Sequence, residues 1–326
     1  MKNILVTGGA GYIGSHIVEL LIKEKSNNIY ILDNLSTGYR KLINKKANFI
    51  KGDIKNFKLL KKIIKKYSIQ TIIHLAAYLN VSEAEKNKNK YFKNNIIGTK
   101  NIIFACKNSD VKNFIFSSSC SVYGSVKGIV TEKKKTNPQG YYAFTKFKGE
   151  EIIKKYSKKF GYHYGILRYF NVAGASSSKK IGEIETSHGH LIKNIAIQSL
   201  QKQPSMNIYG NNYPTKDGTC IRDYIHVSDL ANIHIKGIEY LENKNRSFIV
   251  NCGYGKGYSV LEIIKKFKKI KKNLKINYLK RRHGDVAQVY AGTQKLKKLL
   301  KWKSNFNDIN LIIKSAIRWE KKLNSI

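Results

Sequence analysis

The sequence predicts an α/β fold: a doubly wound parallel sheet with helices on both faces, followed by a smaller, mixed α/β C-terminal part. Three observations carry that prediction. Short apolar runs alternate with amphipathic, lysine-rich segments through the first half of the chain. The apolar runs are continuous rather than alternating, as strands buried on both faces must be. A glycine-rich turn separates the first apolar run from the first amphipathic segment.

Taken in order, NILVTG (3–8) reads as a strand and the segment from Gly11 to Lys25 as a helix. NIYILDN (28–34), ANFIKGDI (47–54), TIIHLAA (71–77) and NFIFSSS (113–119) read as the second to fifth strands, with helical stretches such as 57–67 and 95–107 between them. A helix containing YYAFTK (141–146) follows, then a sixth strand, YGILRYFNV (164–172). After about residue 175 the rhythm breaks in the polar stretch SSSKKIGEIETSHGH, which sets the expected division at 1–175 and 176–326. SFIVNCG (247–253) still reads as a buried strand, so the chain is expected to return to the first unit around 219–253.

Composition narrows the function classes. A hydrophobic content of 42% over 326 residues suits a folded chain with a sizeable core. No apolar run reaches the ~18 residues of a membrane helix, and MKNILVTGGAG reads as the opening of a fold rather than a secretory signal. Cys106, Cys120, Cys220 and Cys252 are scattered without a CxxC spacing, a pattern that suits a reducing cytoplasm. His188 and His190 have no third ligand close in sequence, so no metal is expected.

The net charge of +40, from 61 Lys and Arg against 21 Asp and Glu, raises nucleic-acid binding as a class. Only seven of the 61 are arginine, the residue suited to bidentate phosphate and base contacts. The lysines spread over the whole chain beside abundant Ile and Asn, which reads as composition bias on solvated faces. Neither a specific nucleic acid nor a membrane is expected as a partner.

TGGAGYIG (7–14) follows a strand and opens a helix, with Gly8, Gly11 and Gly14 as punctuation. Such glycines allow a tight turn and a close approach of backbone to a pyrophosphate, which the helix N-terminus then attracts. Asp33 ends the second strand, where a carboxylate accepts both ribose hydroxyls of an adenosine and repels a 2′-phosphate. The reading is a Rossmann-like site for NAD, with Asp53 placed to cap the adenine edge.

Ligands of an open parallel sheet bind beyond the carboxyl ends of its strands. Three polar clusters fall there: HLAAYLN (74–80), SSSCSVYG (117–124) and RYFNVAG (168–174). On the intervening helix Tyr142 and Lys146 share a face at i, i+4, while Tyr141 is one position off. A Tyr–Lys pair on a helix is ordinarily an inert surface. Beside a nicotinamide and a serine of 117–119, the pair reads as chemistry. A phenol of pKa about 10 is expected to fall next to an ammonium and a cationic ring. Tyr142 then accepts a substrate hydroxyl proton, tuned by Lys146 and aided by the serine.

Those motifs, together with RYFNVAGA (168–175), GTCIRDYIHVSDL (218–230) and RRHGD (281–285), run from residue 7 to about 300. In that order the chain resembles the UDP-glucose 4-epimerases of the extended short-chain dehydrogenase/reductase superfamily. The resemblance implies a redox-neutral, NAD-dependent inversion at C4 of a UDP-hexose through a 4-keto sugar. It implies catalytic roles for Ser119, Tyr142 and Lys146. It assigns cofactor contacts to Gly8, Gly11, Tyr12, Ile13, Gly14, Asp33, Asn34, Asp53, Ile54, Leu75, Ala76, Ala77, Asn95, Tyr142, Lys146 and Phe170. Substrate contacts fall to Ser119, Asn171, His190, Leu191, Tyr209, Arg222, Arg282, Asp285 and Val289. Within that set the two arginines hold the diphosphate, Tyr209 flanks uracil and Asp285 lies near the uridine ribose. A homodimer packed through helices such as 95–107 and 142–159 is implied as well.

Three positions depart from the pattern of some members. Leu79 stands where they carry a lysine, His190 replaces an asparagine, and Val289 is small where size is associated with admitting N-acetylated sugars. Nucleotide-sugar dehydratases need an Asp–Glu pair ahead of VYG, and Cys120 and Ser121 stand there instead. A UDP-uronate epimerase or decarboxylase remains open on the same fold. A non-catalytic NAD- or polyanion-binding protein would have lost the Tyr–Lys pair or the substrate-side arginines, and neither is lost.

Overall fold

A computed structural model describes residues 2–184, 189–282 and 285–325. In chain order its strands are β1 (Lys2–Thr7), β2 (Asn27–Asp33), β3 (Asn48–Lys51), β4 (Thr71–His74), β5 (Asn113–Ser119), β6 (Gly128–Val130), β7 (His163–Tyr169), β8 (Asn171–Ala173), β9 (Ser205–Tyr209), β10 (Ile221–His226), β11 (Phe248–Cys252), β12 (Gly257–Ser259), β13 (Lys275–Leu279) and β14 (Gln288–Ala291). The helices that matter below are α1 (Tyr12–Leu21), α2 (Phe57–Lys66), α3 (Val81–Lys86), α4 (Lys88–Tyr91), α5 (Gly98–Ala105), α6 (Tyr141–Phe160), α7 (Leu191–Gln198), α8 (Val227–Lys244), α9 (Val260–Lys268), α10 (Gln294–Leu300) and α11 (Ile309–Leu323).

Seven strands form one parallel sheet in the order β11-β7-β5-β4-β1-β2-β3. The chain winds outward from β1 to β3, then crosses back to lay β4 on the other side of β1. That reversal opens a crevice at the carboxyl ends of β1 and β4, where open α/β sheets bind ligands.

Continuous apolar strands make sense in this sheet because alternate residues serve opposite faces. Ile4, Val6, Ile31, Ile73, Ile115 and Leu167 join the core on the α1 and α8 side. Leu5, Leu32, Ile72, Phe114, Phe116 and Ile166 join the core that also takes α2 and α5. Burying both sets removes the alternation that a half-exposed sheet would show.

The sixth expected strand divides in two. β7 stays in the large sheet, the Phe170 N–H donates to the Cys252 carbonyl at 3.1 Å, and β8 leaves to pair with β10 in a second sheet. That second sheet runs β12-β10-β14-β6. β11 pairs in parallel with β7, which brings SFIVNCG back to the first sheet. No described helix is long and apolar enough to cross a membrane.

Candidate active site

A cleft of about 490 Å³ opens at the carboxyl ends of β1, β4 and β5. Its floor is backbone. Gly8 has φ +75°, and a Cβ there would stand 2.7 Å from the Ala76 nitrogen. A Cβ on Gly14 would stand 2.2 Å from the Gly8 carbonyl oxygen. Only glycine permits this turn and this closeness. α1 begins at Tyr12 behind Gly11, which caps it with no side chain, so its first N–H groups and positive dipole are left for an anion. Gly8, Gly11, Tyr12, Ile13 and Gly14 all line the cleft.

Asp33 ends β2 at the cleft edge. Its carboxylate accepts the Ala10 N–H at 3.0 Å and the Leu35 N–H at 2.8 Å. Burial raises its pKa and these two hydrogen bonds oppose the rise. Among the described residues it has no salt bridge, and a Cβ on Gly38 would stand 2.9 Å from Oδ1. A glycine floor, an uncapped helix start and an unpaired acid fit the pyrophosphate and ribose of a dinucleotide.

Asn34, Ile54, Leu75, Ala76, Ala77 and Phe170 also line the cleft. Asp53 does not. It accepts from Asn34 Nδ2 at 3.0 Å and pairs with Lys55 at 3.4 Å, while its neighbours Gly52 and Ile54 face the cavity. Asn95 is likewise turned away. Its amide holds the Tyr78 backbone at both ends, accepting the N–H at 2.9 Å and donating to the carbonyl at 3.0 Å. Asn94 faces the cleft in its place. Both asparagines lie in a π-helical turn, Phe92–Ile97, whose wider winding shifts which neighbour a cavity sees.

The reaction end rests on a match of two repeats. Four residues of helix advance about 6 Å, and two residues of strand advance about as far. Tyr142 and Lys146, one turn apart on α6, therefore address Ser119 and Ser117 on β5. Lys146 Nζ donates to the Ser117 carbonyl at 2.8 Å. Ser119 and Tyr142 line the cleft, whereas Lys146 is buried behind it, 5.3 Å from the centre of the Phe116 ring. Tyr141 sits outside the cavity, its N–H on Glu85 and its ring against Phe144.

Without the nicotinamide that the sequence expectation presupposes, burial sets the protonation balance. Burial raises the Tyr142 pKa, against which Ser119 works, and burial lowers Lys146 to about 7. A dry wall penalises both charged forms, and Lys146 directs its ammonium at a carbonyl instead of the phenol. In the chain alone the pair is held toward neutrality rather than toward phenolate and ammonium.

At the far end, Asn171, His190, Leu191 and Arg222 line the same cleft. Arg222 is fixed by three acceptors: the carbonyls of Ile221 at 2.9 Å and Val286 at 2.8 Å, and Asp285 Oδ1 at 3.1 Å. Arg282 lies 3.9 Å above the Tyr209 ring. Tyr209, Arg282 and Asp285 do not line the cavity, and Asp285 meets it through Arg222. Val289 is buried beside Val122, Tyr123 and Phe170 and does not touch the cavity. His188 lies outside the described residues.

The sequence profile of the NAD dependent epimerase/dehydratase family matches residues 4–253. A UDP-glucose 4-epimerase of Lactobacillus helveticus is 40% identical over 98% of this chain and 97% of its own length. This chain belongs to the NAD dependent epimerase/dehydratase family. Solved structures agree. The UDP-glucose 4-epimerase of Brucella ovis in complex with NAD superposes with a TM-score of 0.92 at 35% identity, covering 97% of this chain and 98% of that one. The UDP-Glc/GlcNAc 4-epimerase of Campylobacter jejuni gives 0.85 at 36% identity, covering 99% and 100%.

Among the cleft residues of this family member that sequence reasoning does not single out are Asn94 and Glu183. Asn94 is one of an adjacent pair that only the helix winding distinguishes. Glu183 also lines the cleft, from a polar stretch whose spacing carries no periodic signal.

Proposed function

We propose that this protein interconverts UDP-galactose and UDP-glucose by inverting C4 of the hexose, with NAD bound permanently in the glycine-floored half of the cleft. The observation that carries the reading is that Tyr142, Ser119, the glycine floor and Arg222 all line one cavity. Residues 1–175 chiefly hold the dinucleotide in this reading and 176–326 the UDP-sugar.

Bound there, NAD supplies the acceptor and donor of a hydride at C4. The chain's own residues handle the proton and the positioning. Tyr142 takes the O4 proton and later returns it, while Ser119 shares that proton and orients the oxygen. Lys146, behind the pair, adds positive charge when protonated and so favours the phenolate during the transfer. Arg222 and Arg282 hold the diphosphate, Tyr209 flanks the uracil and Asp285 meets the ribose. With the UDP end fixed, the 4-keto sugar turns about its link to phosphate and presents its other face. Asn171 and Leu191 bound the space in which it turns.

The test is to incubate the purified protein with UDP-galactose, without added NAD, and assay UDP-glucose. Conversion that Tyr142→Phe abolishes supports the reading. No conversion with or without added NAD removes the named substrate, and UDP-uronates become the next trial. The resemblance extends the reading to UDP-GlcNAc and UDP-GalNAc, because Val289 is small at the position whose size is associated with admitting N-acetylated sugars. Failure to turn over UDP-GlcNAc removes that extension. A homodimer in a cytoplasmic setting completes the proposal, and its mass in solution tests the first part.

A further inference from the structure

Five buried polar side chains behind the cleft take no part in the proton transfer above. Thr7, His74, Asn95, Thr99 and Thr145 come from β1, β4, the π-helical turn, α5 and α6, and each is 3% exposed or less. Their hydrogen bonds form two chains whose direction is set by carbonyls, which accept and never donate. Thr99 Oγ1 donates to the Asn95 carbonyl at 2.6 Å, so it accepts at its 2.9 Å contact with His74 Nε2. Burial, with the charge of Lys146 behind it, lowers the His74 pKa to about 3, so the ring is neutral with a single N–H. That proton sits on Nε2, and Nδ1 accepts from Thr7 Oγ1 at 2.8 Å. In the second chain Thr145 Oγ1 donates to the Tyr142 carbonyl at 2.8 Å and accepts from Asn95 Nδ2 at 3.1 Å.

The chains meet at Asn95, whose amide also holds both backbone groups of Tyr78 and accepts from Asn94 Nδ2 at 3.0 Å. Together they run from Thr7, directly before Gly8, to the first turn of α6. That turn needs the support. α6 begins behind Gly140, which has φ +84° and offers no side-chain cap, and an uncapped first turn frays readily. Lys146 is one turn further in and tied to the sheet through the Ser117 carbonyl. Tyr142 lies in the first turn, which Thr145 ties sideways to Asn95.

We infer that His74, Thr99 and Thr145 are positioning residues that brace Tyr142 against the glycine turn and so fix where its phenol stands over the cofactor floor. This rests on the UDP-hexose reading above. The brace serves the transfer steps rather than affinity, because Tyr142 must keep its place while the sugar turns between two proton transfers. None of the three lines the cleft, so their loss acts through Tyr142.

The experiment is steady-state kinetics of the NAD-loaded protein with UDP-galactose, with bound NAD measured per chain. Thr99→Val and Thr145→Val each remove a hydroxyl and keep the shape. Each is expected to lower kcat about tenfold, the scale of one buried hydrogen bond, with KM and bound NAD near wild type. Thr99→Ser and Thr145→Ser keep the hydroxyl and are expected to retain most of the turnover. Because both sites act through Asn95, the double valine variant is expected to lose about as much as either single, not about a hundredfold. Unchanged kcat in the valine variants, serine variants as slow as the valine ones, or a loss confined to KM or bound NAD overturns the inference. Wild-type protein that retains NAD yet turns over no UDP-galactose overturns the UDP-hexose reading, and the inference with it.

Discussion

The two ends of the cleft are built from different materials. The cofactor end is backbone: Gly8, Gly11 and Gly14 shape it, and the one charged contact, Asp33, is held by two main-chain N–H groups. The end proposed for the substrate is side chain: Arg222, His190 and Asn171 arrive from separate elements, with Arg222 ordered by an ion pair and carbonyl acceptors. Backbone in a parallel sheet has little freedom left to lose, so the first end is preformed. Long cations must be held by partners, so the second end is tunable. Changes at one end should therefore separate cleanly from changes at the other.

The largest effect falls between them. Tyr142→Phe removes the proton-carrying group and keeps the ring that fills the wall. Turnover should drop by about 10³-fold, while retained NAD and the affinity for UDP-glucose stay near wild type. An equal loss of NAD would mean that Tyr142 belongs structurally to the cofactor end. Gly8→Ala comes next. Its side chain enters a φ of +75° and meets the Ala76 nitrogen at 2.7 Å, so Ala76 or the turn must shift. The protein should purify with little or no bound NAD, read directly from its absorbance. Arg222→Ala should leave bound NAD unchanged and raise KM on the order of tenfold, since it removes a charge-assisted contact and leaves Asp285 unpaired. Loss of NAD in that variant would break the contrast between the two ends.

The same contrast explains what could be read from the chain. Gly8, Gly14 and Asp33 lie within one strand–turn–helix–strand unit, so spacing alone carries their geometry. Tyr142 is fixed by an i, i+4 spacing against a strand whose end is apparent in SSSCSVYG. Arg222, Tyr209 and Arg282 lie on β10, on β9 and beyond β13, and no local pattern brings them together. Their assignment came from resemblance. The misplacement of Asn95 has a local cause, a π-helical turn that ordinary helical spacing does not anticipate. The expected fall in the Tyr142 pKa presupposes a bound cationic nicotinamide, and in the chain alone burial raises it instead. Sequence displays the lysine but not the dryness of the wall around both groups.

Lys146 gives the smallest effect and the finest test, because it is a charge buried behind the reaction end of the cleft. Burial lowers its pKa to about 7, below the ~10.4 of a lysine in an unfolded chain. Between those values the unfolded chain binds the extra proton, so this residue makes stability rise with pH across that window. Below it, the folded chain keeps a buried ammonium with one carbonyl partner, Ser117. Lys146→Met should therefore stabilise the cofactor-free protein near pH 6 on the order of 1 kcal/mol, after allowing for the lost hydrogen bond. The advantage should shrink as pH approaches 10. Urea midpoints at three pH values measure it. Arg282→Ala, a change in an exposed cation at the other end, should show no such slope. A pH-independent difference for Lys146→Met would mean that its ammonium is solvated in the folded chain. The reaction end would then lack the dry wall that holds Tyr142 protonated until substrate arrives.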